Sequence, residues 1–194
     1  DDVVRTMTDF AQICVSRAVL LASSELAEQF GKPACHDGSF QDLLVVAMGK
    51  LGGQELNVSS DIDLVFVYDE DGRTQPGKGQ RTVSNREFFE RLARRVIALI
   101  HSPDETGFVF RVDCRLRPYG EDGPIVVSSD MLEEYLSRQG RDWERFAWLK
   151  ARVVNTPVFS EPQAFSQTVD SFYRLIRPFV YRRYVDFGVL NALS

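Results

Sequence analysis

Two short apolar runs place the strongest constraint on how this chain can fold. Leu43 to Met48 is a continuous apolar run rich in valine, and Ile62 to Tyr68 is a second run that contains a single aspartate. A glycine-containing turn separates them. Runs of this length between turn signals are typical of strands buried in a sheet. We therefore expect a sheet at the centre of the fold.

Helical periodicity flanks these strands. Residues 3–30 are predicted to form a helix because apolar side chains recur every three or four positions, at Val3, Met7, Phe10, Cys14, Ala18 and Leu21. Ser84 and Glu87 form the capping-box pattern that opens a second helix. Its apolar stripe consists of Phe88, Phe89, Leu92, Val96, Ile97 and Ile100. The arginines of this helix lie largely on the opposite face, so solvation explains them without a nucleic-acid partner.

Phe108 to Leu116 alternates between apolar and polar residues and is predicted to be the clearest strand. Phe108, Phe110, Val112, Cys114 and Leu116 share one face, and Arg111, Asp113, Arg115 and Arg117 share the other. Pro118 is expected to end this strand. The polar stretch from Asp69 to Gly79 is predicted to be a loop.

The remaining elements are a strand at Ile125–Val127 and three helices. Two helices are expected near 129–139 and 142–154. The last starts at Ser160, with Pro162 in its first turn and Gln163 completing a capping box, and Pro178 should end or kink it. These elements predict an α+β fold: a core domain in residues 1–128 with its N-terminal helix, and an all-helical extension in residues 129–194.

Composition excludes several classes of protein. The chain has 194 residues, 44% of them hydrophobic, and a net charge of −5, which gives no general reason to expect a polyanion partner. Arg174, Arg177, Arg182 and Arg183 stand among aromatic residues and could bind nucleic acid, but packing against further helices is the better explanation. No apolar run approaches the roughly 20 residues of a membrane span, so we expect neither a nucleic-acid nor a membrane partner.

Cysteine usage and the chain start indicate a cytoplasmic segment of a longer protein. Cys14, Cys35 and Cys114 form no Cys-x-x-Cys pair, and only two histidines accompany them. We therefore expect no zinc cluster, and we expect the three cysteines to be reduced thiols. The first residues form neither the basic n-region nor the apolar h-region of a signal peptide, and no initiator methionine is present.

The segment Gly49 to Leu64 carries the chemistry. Its glycines and Lys50 follow a strand, as in phosphate-binding loops, but Leu51 stands where a Walker A motif needs serine or threonine, and the spacing of a dinucleotide fingerprint is absent. Asp61 and Asp63 are two residues apart at the start of a strand, so both side chains emerge on one face.

Clustered carboxylates need compensation. Lysine or arginine could supply it, but magnesium or manganese does so better, because hard cations prefer carboxylate and phosphate oxygens. Asp113 would add a third carboxylate if its strand neighbours that of Asp63. An isolated Asp-x-Asp is more often a solvated turn. Here Gly52 and Gly53 could let the backbone approach a ligand closely. Ser59 and Ser60 offer their hydroxyl and amide groups to the oxygens of a phosphate.

Several motifs resemble one family. The run from Gly49 to Leu64 resembles the signature of the bifunctional glutamine synthetase adenylyltransferase/adenylyl-removing enzymes. This signature is a variant of the Gly-Ser-x-Asp-x-Asp pattern of polymerase-β-like nucleotidyltransferases, with Ser59 in place of the glycine. The similarity continues in residues 108–118, 140–145, 150–152 and 178–184. The resemblance implies a polymerase-β-like nucleotidyltransferase core: a mixed sheet with flanking helices.

The resemblance also implies an activity. One half of such enzymes removes AMP from a tyrosine of glutamine synthetase, using inorganic phosphate and releasing ADP; the other adds AMP from ATP. Ser59-Ser60-Asp61, residues 118–124 and residues 142–145 look like the removing half. The adenylylating half and a non-catalytic regulatory module are the alternatives. Glutamine synthetase and the PII signal protein are the implied partners.

The implied site has three metal ligands, Asp61, Asp63 and Asp113, which are also its catalytic residues. Asp113 could instead be a base. The nucleotide and phosphate ligands are expected to contact Gly49, Lys50, Gly52, Gly53, Ser59, Ser60, Arg115 and Arg117. A structural ion pair is the competing explanation for Lys50, Arg115 and Arg117.

Overall fold

A computed structural model describes residues 2–101 and 107–181 of the chain. Its helices are α1 (Asp2–Phe30), α2 (Gly49–Gly52), α3 (Asn85–His101), α4 (Ser129–Arg138), α5 (Asp142–Leu149) and α6 (Pro162–Val180). Its strands are β1 (Lys32–Pro33), β2 (Leu44–Ala47), β3 (Ile62–Tyr68), β4 (Thr74–Gln75), β5 (Val112–Asp113), β6 (Val126–Ser128) and β7 (Arg152–Val153). A short 3₁₀ turn covers Gly120–Asp122.

The main sheet has five strands and mixed direction. The strand order is β5-β3-β2-β7, with β2 antiparallel to both β3 and β7. Both β5 and β6 pair with β3 in parallel. Strand β5 pairs with the first two residues of β3, and β6 pairs with the last three residues of β3. A separate two-stranded ribbon joins β1 to β4. The mixed sheet agrees with the predicted α+β class.

Helices cover both faces of the sheet. Leu64 and Phe66 of β3 belong to a core formed with α1 and α3, whereas Val65 and Val67 belong to a second core formed with α4, α5 and α6. This division follows from the alternation of side chains along a strand. Asp63 is therefore on the same face as Val65 and Val67, at the start of the strand.

Three elements match the sequence prediction closely. Strand β3 has the expected bounds, and β2 lies within its apolar run. Helix α3 begins after Ser84, whose hydroxyl accepts a hydrogen bond from the Glu87 backbone N–H at 3.1 Å. The apolar stripe of α3 is buried, with Ile97 only partly so. Arg86, Arg91 and Arg95 on its outer face form ion pairs with glutamates, as a solvated face should.

Helix α1 exists as predicted, but its inward face is different. Val3, Phe10 and Leu21 are exposed, and the buried residues are mostly small: Thr8, Ala11, Val15, Ala18, Val19, Ala22, Ser23 and Phe30. Small side chains allow the close approach of α3. An 18-residue window of α1 has a mean hydropathy of about 1.3. By length and composition alone, this helix could cross a membrane. The expectation that no run approaches this length is therefore wrong, although a core helix passes the same test.

The predicted strand Phe108–Leu116 is wrong except at its centre. Only Val112 and Asp113 pair with β3, and Phe108 and Val109 are exposed. The carboxylate of Asp113 accepts a hydrogen bond from the Arg115 backbone N–H at 2.8 Å. This local bond turns the chain immediately after the strand, which alternation of residue types does not reveal.

The prediction that the part after residue 128 is all-helical is wrong. Helix α5 ends at Leu149, and Arg152–Val153 forms β7 against β2, whose backbone groups need partners on that edge. The boundary at residue 128 stays a prediction, and residues 182–194 lie outside the described part.

Three smaller expectations also change. The loop Asp69–Gly79 contains β4. The Ser160 hydroxyl bonds Asp42 rather than capping α6, which begins at Pro162. Pro178 lies in the last turn of α6, which ends at Val180. Cys14, Cys35 and Cys114 are free thiols, as expected.

Candidate active site at the start of strand β3

The structure brings the three predicted aspartates together. Asp63 and Asp113 are register partners in the parallel β3/β5 pair, and Asp61 precedes Asp63 by two residues. Burial raises the pKa of Asp63, and the charges of Asp113 and Asp61 raise it further. Asp61 and Asp113 are thus near enough to Asp63 for their charges to disfavour its ionised form.

Two arginines neutralise the outer carboxylates. Arg111 Nε donates to Asp61 Oδ1 at 2.6 Å, and Arg115 Nε donates to Asp113 Oδ2 at 2.8 Å. The Arg115 side chain holds the pKa of Asp113 below its usual value. Sequence reasoning did not assign Arg111 to the site. Its position two residues before Asp113, on the same polar face, was the available signal.

The donor set suits a hard divalent cation by chemistry. Among residues 2–101 and 107–181, no three Asp, Glu, His or Cys side chains are arranged as a ready metal-binding group. Carboxylate oxygens are nevertheless what magnesium and manganese prefer. Burial, followed by the charges of Asp113 and Asp61, raises the pKa of Asp63, and a bound cation would offset both effects. Arg111 and Arg115 are mostly exposed and would have to move from Asp61 and Asp113. The metal itself stays a prediction.

The Gly49 turn packs directly on Asp63. Gly49 has φ of +53°, and a Cβ at this position would lie 2.4 Å from Asp63 Oδ2. A side chain at this position would be strained in backbone conformation and would displace the Asp63 carboxylate. Lys50 Nζ lies 3.2 Å from Ser60 Oγ, and its charge lowers the pKa of Asp63. Gly49, Lys50 and Ser60 thus border the carboxylates, and Ser59 lies exposed beside them.

Gly52 and Gly53 serve the packing of the chain itself. A Cβ on Gly52 would lie 2.2 Å from the Lys150 carbonyl oxygen and 2.6 Å from that of Ala47. Gly53 would meet the Lys150 side chain. The expectation that these glycines admit a ligand is corrected for Gly52, which is buried against backbone.

Arg152 binds the carbonyl groups of α2, the short helix Gly49–Gly52 that begins beside Asp63. Its guanidinium donates to the carbonyl oxygens of Leu51 at 3.1 Å and Gly52 at 3.3 Å, and to Gln12 Oε1 at 2.8 Å. Partial burial lowers the pKa of Arg152. Arg152 therefore links α1 to α2 beside Asp63. The sequence indicated this arginine only as part of a family motif.

Arg117 has a structural role. Its guanidinium donates to the carbonyl oxygens of Cys114, Glu121 and Gly123 at 2.9, 2.8 and 3.2 Å. These bonds close the loop that follows β5. Its predicted contact with phosphate would compete with all three bonds, whereas Arg115 has a single partner residue, Asp113.

A cleft of about 410 Å³ lies next to Arg115, the ion-pair partner of Asp113, and none of the three aspartates lines it. It is lined by Arg115, Arg117, Tyr119, Gly120, Asp122, Tyr135, Gln139, Arg141, Trp143 and Glu144. Sequence reasoning used residues 140–145 only as part of a family motif and did not foresee this cleft. A wider groove of about 620 Å³ along α1, between Asp9 and Leu20, contains none of the three aspartates.

Comparison with known proteins identifies the class. The model of the glutamate-ammonia ligase adenylyltransferase family matches residues 1–166. The chain belongs to this family. It is 50% identical over 192 residues to the bifunctional glutamine synthetase adenylyltransferase/adenylyl-removing enzyme of Burkholderia mallei, covering 99% of this chain and 20% of that protein.

Other relatives carry the same description. The chain is 50% identical over 194 residues to the enzyme of Ralstonia nicotianae, covering 100% of this chain and 20% of the relative. It is 50% identical over 169 residues to that of Shewanella frigidimarina, covering 87% of this chain and 17% of the relative. The chain thus spans about a fifth of the length of these curated relatives.

Proposed function

We propose that this chain is the adenylyl-removing catalytic domain, with a polymerase-β-like nucleotidyltransferase core. Its reaction is the phosphorolysis of the adenylyl-tyrosine bond of glutamine synthetase. The observation that supports this most is the pairing of Asp63 with Asp113 on parallel strands, with Asp61 beside them. Such a cluster of carboxylates next to a glycine turn and exposed arginines suits the transfer of a phosphoryl-linked group.

The reaction exchanges a phosphodiester bond for a phosphoanhydride bond. An oxygen of inorganic phosphate forms a bond to the adenylyl phosphorus, and the bond from phosphorus to the tyrosyl oxygen breaks. The tyrosyl oxygen leaves with the electron pair and gains a proton, so the products are ADP and unmodified tyrosine. The barrier lies in bringing anions together and in the leaving group, whose pKa is about 10.

The side chains of the site address both difficulties. Arg111, Arg115 and Lys50 supply positive charge around the carboxylates, where the incoming phosphate must approach. Magnesium or manganese held by Asp61, Asp63 and Asp113 would stabilise charge on the attacking and leaving oxygens. Phosphate is already anionic at neutral pH, so Asp113 is not required as a base, and we assign it as the third ligand.

Resemblance supports the removing half over the adding half. The Ser59-Ser60-Asp61 segment and residues 118–124 and 142–145 look like the removing half. Glutamine synthetase as substrate, the PII signal protein as a partner of the longer enzyme, and a cytoplasmic location belong to the same proposal. Nucleic acid and membranes are not proposed as partners.

The test is ADP release from adenylylated glutamine synthetase. With magnesium and inorganic phosphate, the chain should release ADP; Asp63→Asn should abolish release while far-ultraviolet circular dichroism stays unchanged. The matched control is Asp170→Asn, an exposed aspartate on α6, which should release ADP normally. Retained turnover by Asp63→Asn would remove Asp63 from the site. Incorporation of AMP from ATP without dependence on phosphate would assign the adding half instead.

A further inference from the structure

We propose that the cleft beside Arg115 binds the purine base of the adenylyl nucleotide, which stacks against Tyr119 and Trp143. The inference rests on the proposed function and specifies where the nucleotide of that reaction lies. Arg115 links the cleft to the carboxylates, because its side chain lines the cleft and forms an ion pair with Asp113. A nucleotide can therefore place its phosphate at the aspartates and its base in the cleft.

Two aromatic side chains in this cleft are unusually exposed. Trp143 is 54% exposed and Tyr119 is 40% exposed, although rings of this size are normally buried. Flat aromatic faces of this kind bind nucleobases by stacking. Arg141 lines the same cleft and adds a cation for the phosphate or for the face of the base.

Tyr119 is held in an uncommon backbone conformation. Its φ is +65°, in the left-handed region that few residues other than glycine adopt. Its ring contacts the edge of Tyr135, with a centroid distance of 4.7 Å. Conformations of this type persist where the surroundings enforce them, and they concentrate at ligand sites.

A buried carboxylate fixes the opposite wall. Glu144 is only 4% exposed and lines the cleft. It accepts hydrogen bonds from the Tyr135 hydroxyl and from the Arg141 backbone N–H, both at 2.7 Å. These bonds attach the start of α5 to α4. The positions of Arg141 and Trp143 relative to Tyr119 are thereby set before any ligand arrives.

Intrinsic fluorescence provides a readout that does not require turnover. The chain has two tryptophans, and Trp148 is buried at 1% exposure whereas Trp143 faces the cleft. ADP titrated into the complete chain should quench tryptophan emission saturably, and Trp143→Phe should lose most of that quench. By calorimetry, Trp143→Ala should bind ADP about tenfold more weakly, as loss of one stacking partner implies.

The matched control is Phe146→Ala. Phe146 is on the same helix and 75% exposed but does not line the cleft, so its variant should bind ADP as the unmodified chain does. Pyrophosphate, which has no base, should not quench Trp143. Equal ADP affinity of Trp143→Ala and the unmodified chain, or equal quenching by pyrophosphate, would overturn the inference.

The same variants separate this inference from the proposed function. If Trp143→Ala weakens ADP binding but the unmodified chain releases no ADP from adenylylated glutamine synthetase, the cleft is assigned correctly and the reaction is not. If ADP is released and Trp143→Ala has an unchanged KM for phosphorolysis and an unchanged Kd for ADP, the reaction stands and the cleft assignment fails.

Discussion

Asp63 and Asp113 lie opposite each other in the β3/β5 pair, yet their carboxyl groups respond to the site in opposite ways. Burial and the neighbouring negative charges raise the pKa of Asp63, whereas the Arg115 side chain lowers that of Asp113. Among the described residues, Asp61 and Asp113 form ion pairs with arginines, so Asp63 is the member of the cluster whose charge is least compensated. Removing that charge should help the fold and harm the proposed reaction.

Asp63→Asn should raise the unfolding temperature near neutral pH in the presence of EDTA. The folded-state pKa of Asp63 lies above its unfolded value, so the ionised form destabilises the fold at neutral pH. This cost disappears as the pH falls through the raised folded pKa, and the advantage of Asp63→Asn should shrink with it. Thermal circular dichroism over a pH series measures the effect, with Asp170→Asn as control. A lower unfolding temperature for Asp63→Asn at neutral pH would contradict the charge assignment.

Gly49→Ala should reduce phosphorolysis strongly, on the order of a hundredfold, because its methyl group would displace Asp63. Gly79→Ala is the matched control: Gly79 also has a positive φ, of +84°, but nothing lies within 4 Å of its Cβ position. Both variants should lose about 1–2 kcal/mol of stability from backbone strain. Steady-state kinetics and urea denaturation separate the two effects. Equal activity of the two variants would mean that contact with Asp63 is unimportant.

Asp42→Ala should destabilise the chain by about 2–4 kcal/mol. The buried Asp42 carboxylate accepts hydrogen bonds from the backbone N–H groups of Val158, Phe159 and Ser160, and from the Ser160 hydroxyl. Its loss leaves these donors without their partner. Asp37→Ala, which removes an exposed carboxylate bonded to Ser39, should leave the urea midpoint unchanged. A similar midpoint for both variants would refute this account.

Arg152→Lys should lower kcat several-fold with little change in the unfolding midpoint. A lysine cannot reproduce the bonds to Leu51 and Gly52 together with that to Gln12, so the turn that carries Lys50 should loosen beside Asp63. Arg138→Lys, at an exposed helical ion pair with Glu134, is the control and should keep full activity. Unchanged kcat in Arg152→Lys would restrict Arg152 to a packing role.

Much of the sheet and the aspartate cluster could be predicted because their signals are local. The apolar run of β3 and the two-residue spacing of Asp61 and Asp63 are legible in the sequence, and the polar face of residues 111–117 contained Asp113. The family motifs supplied the expected chemistry.

The remainder depends on contacts between distant segments. The turn after Asp113 arises from a side chain bonding backbone, and the role of Gly52 arises from the Lys150 carbonyl, almost a hundred residues later in the chain. The cleft requires α4, α5 and the loop after β5 to meet. None of these contacts leaves a periodic pattern in the sequence.

Strand β7 has a consequence for how the chain can be divided. Its pairing covers the edge of β2 at Val46 and Ala47, and the Asn155 side chain bonds the Val45 backbone N–H at 2.7 Å. A polypeptide ending near residue 128 would expose that hydrophobic edge to other molecules, and open edges of this kind recruit foreign strands. During synthesis, the edge of β2 can be covered only after residue 155 has emerged, so the sheet that carries the aspartates and the segment that follows residue 128 must fold together.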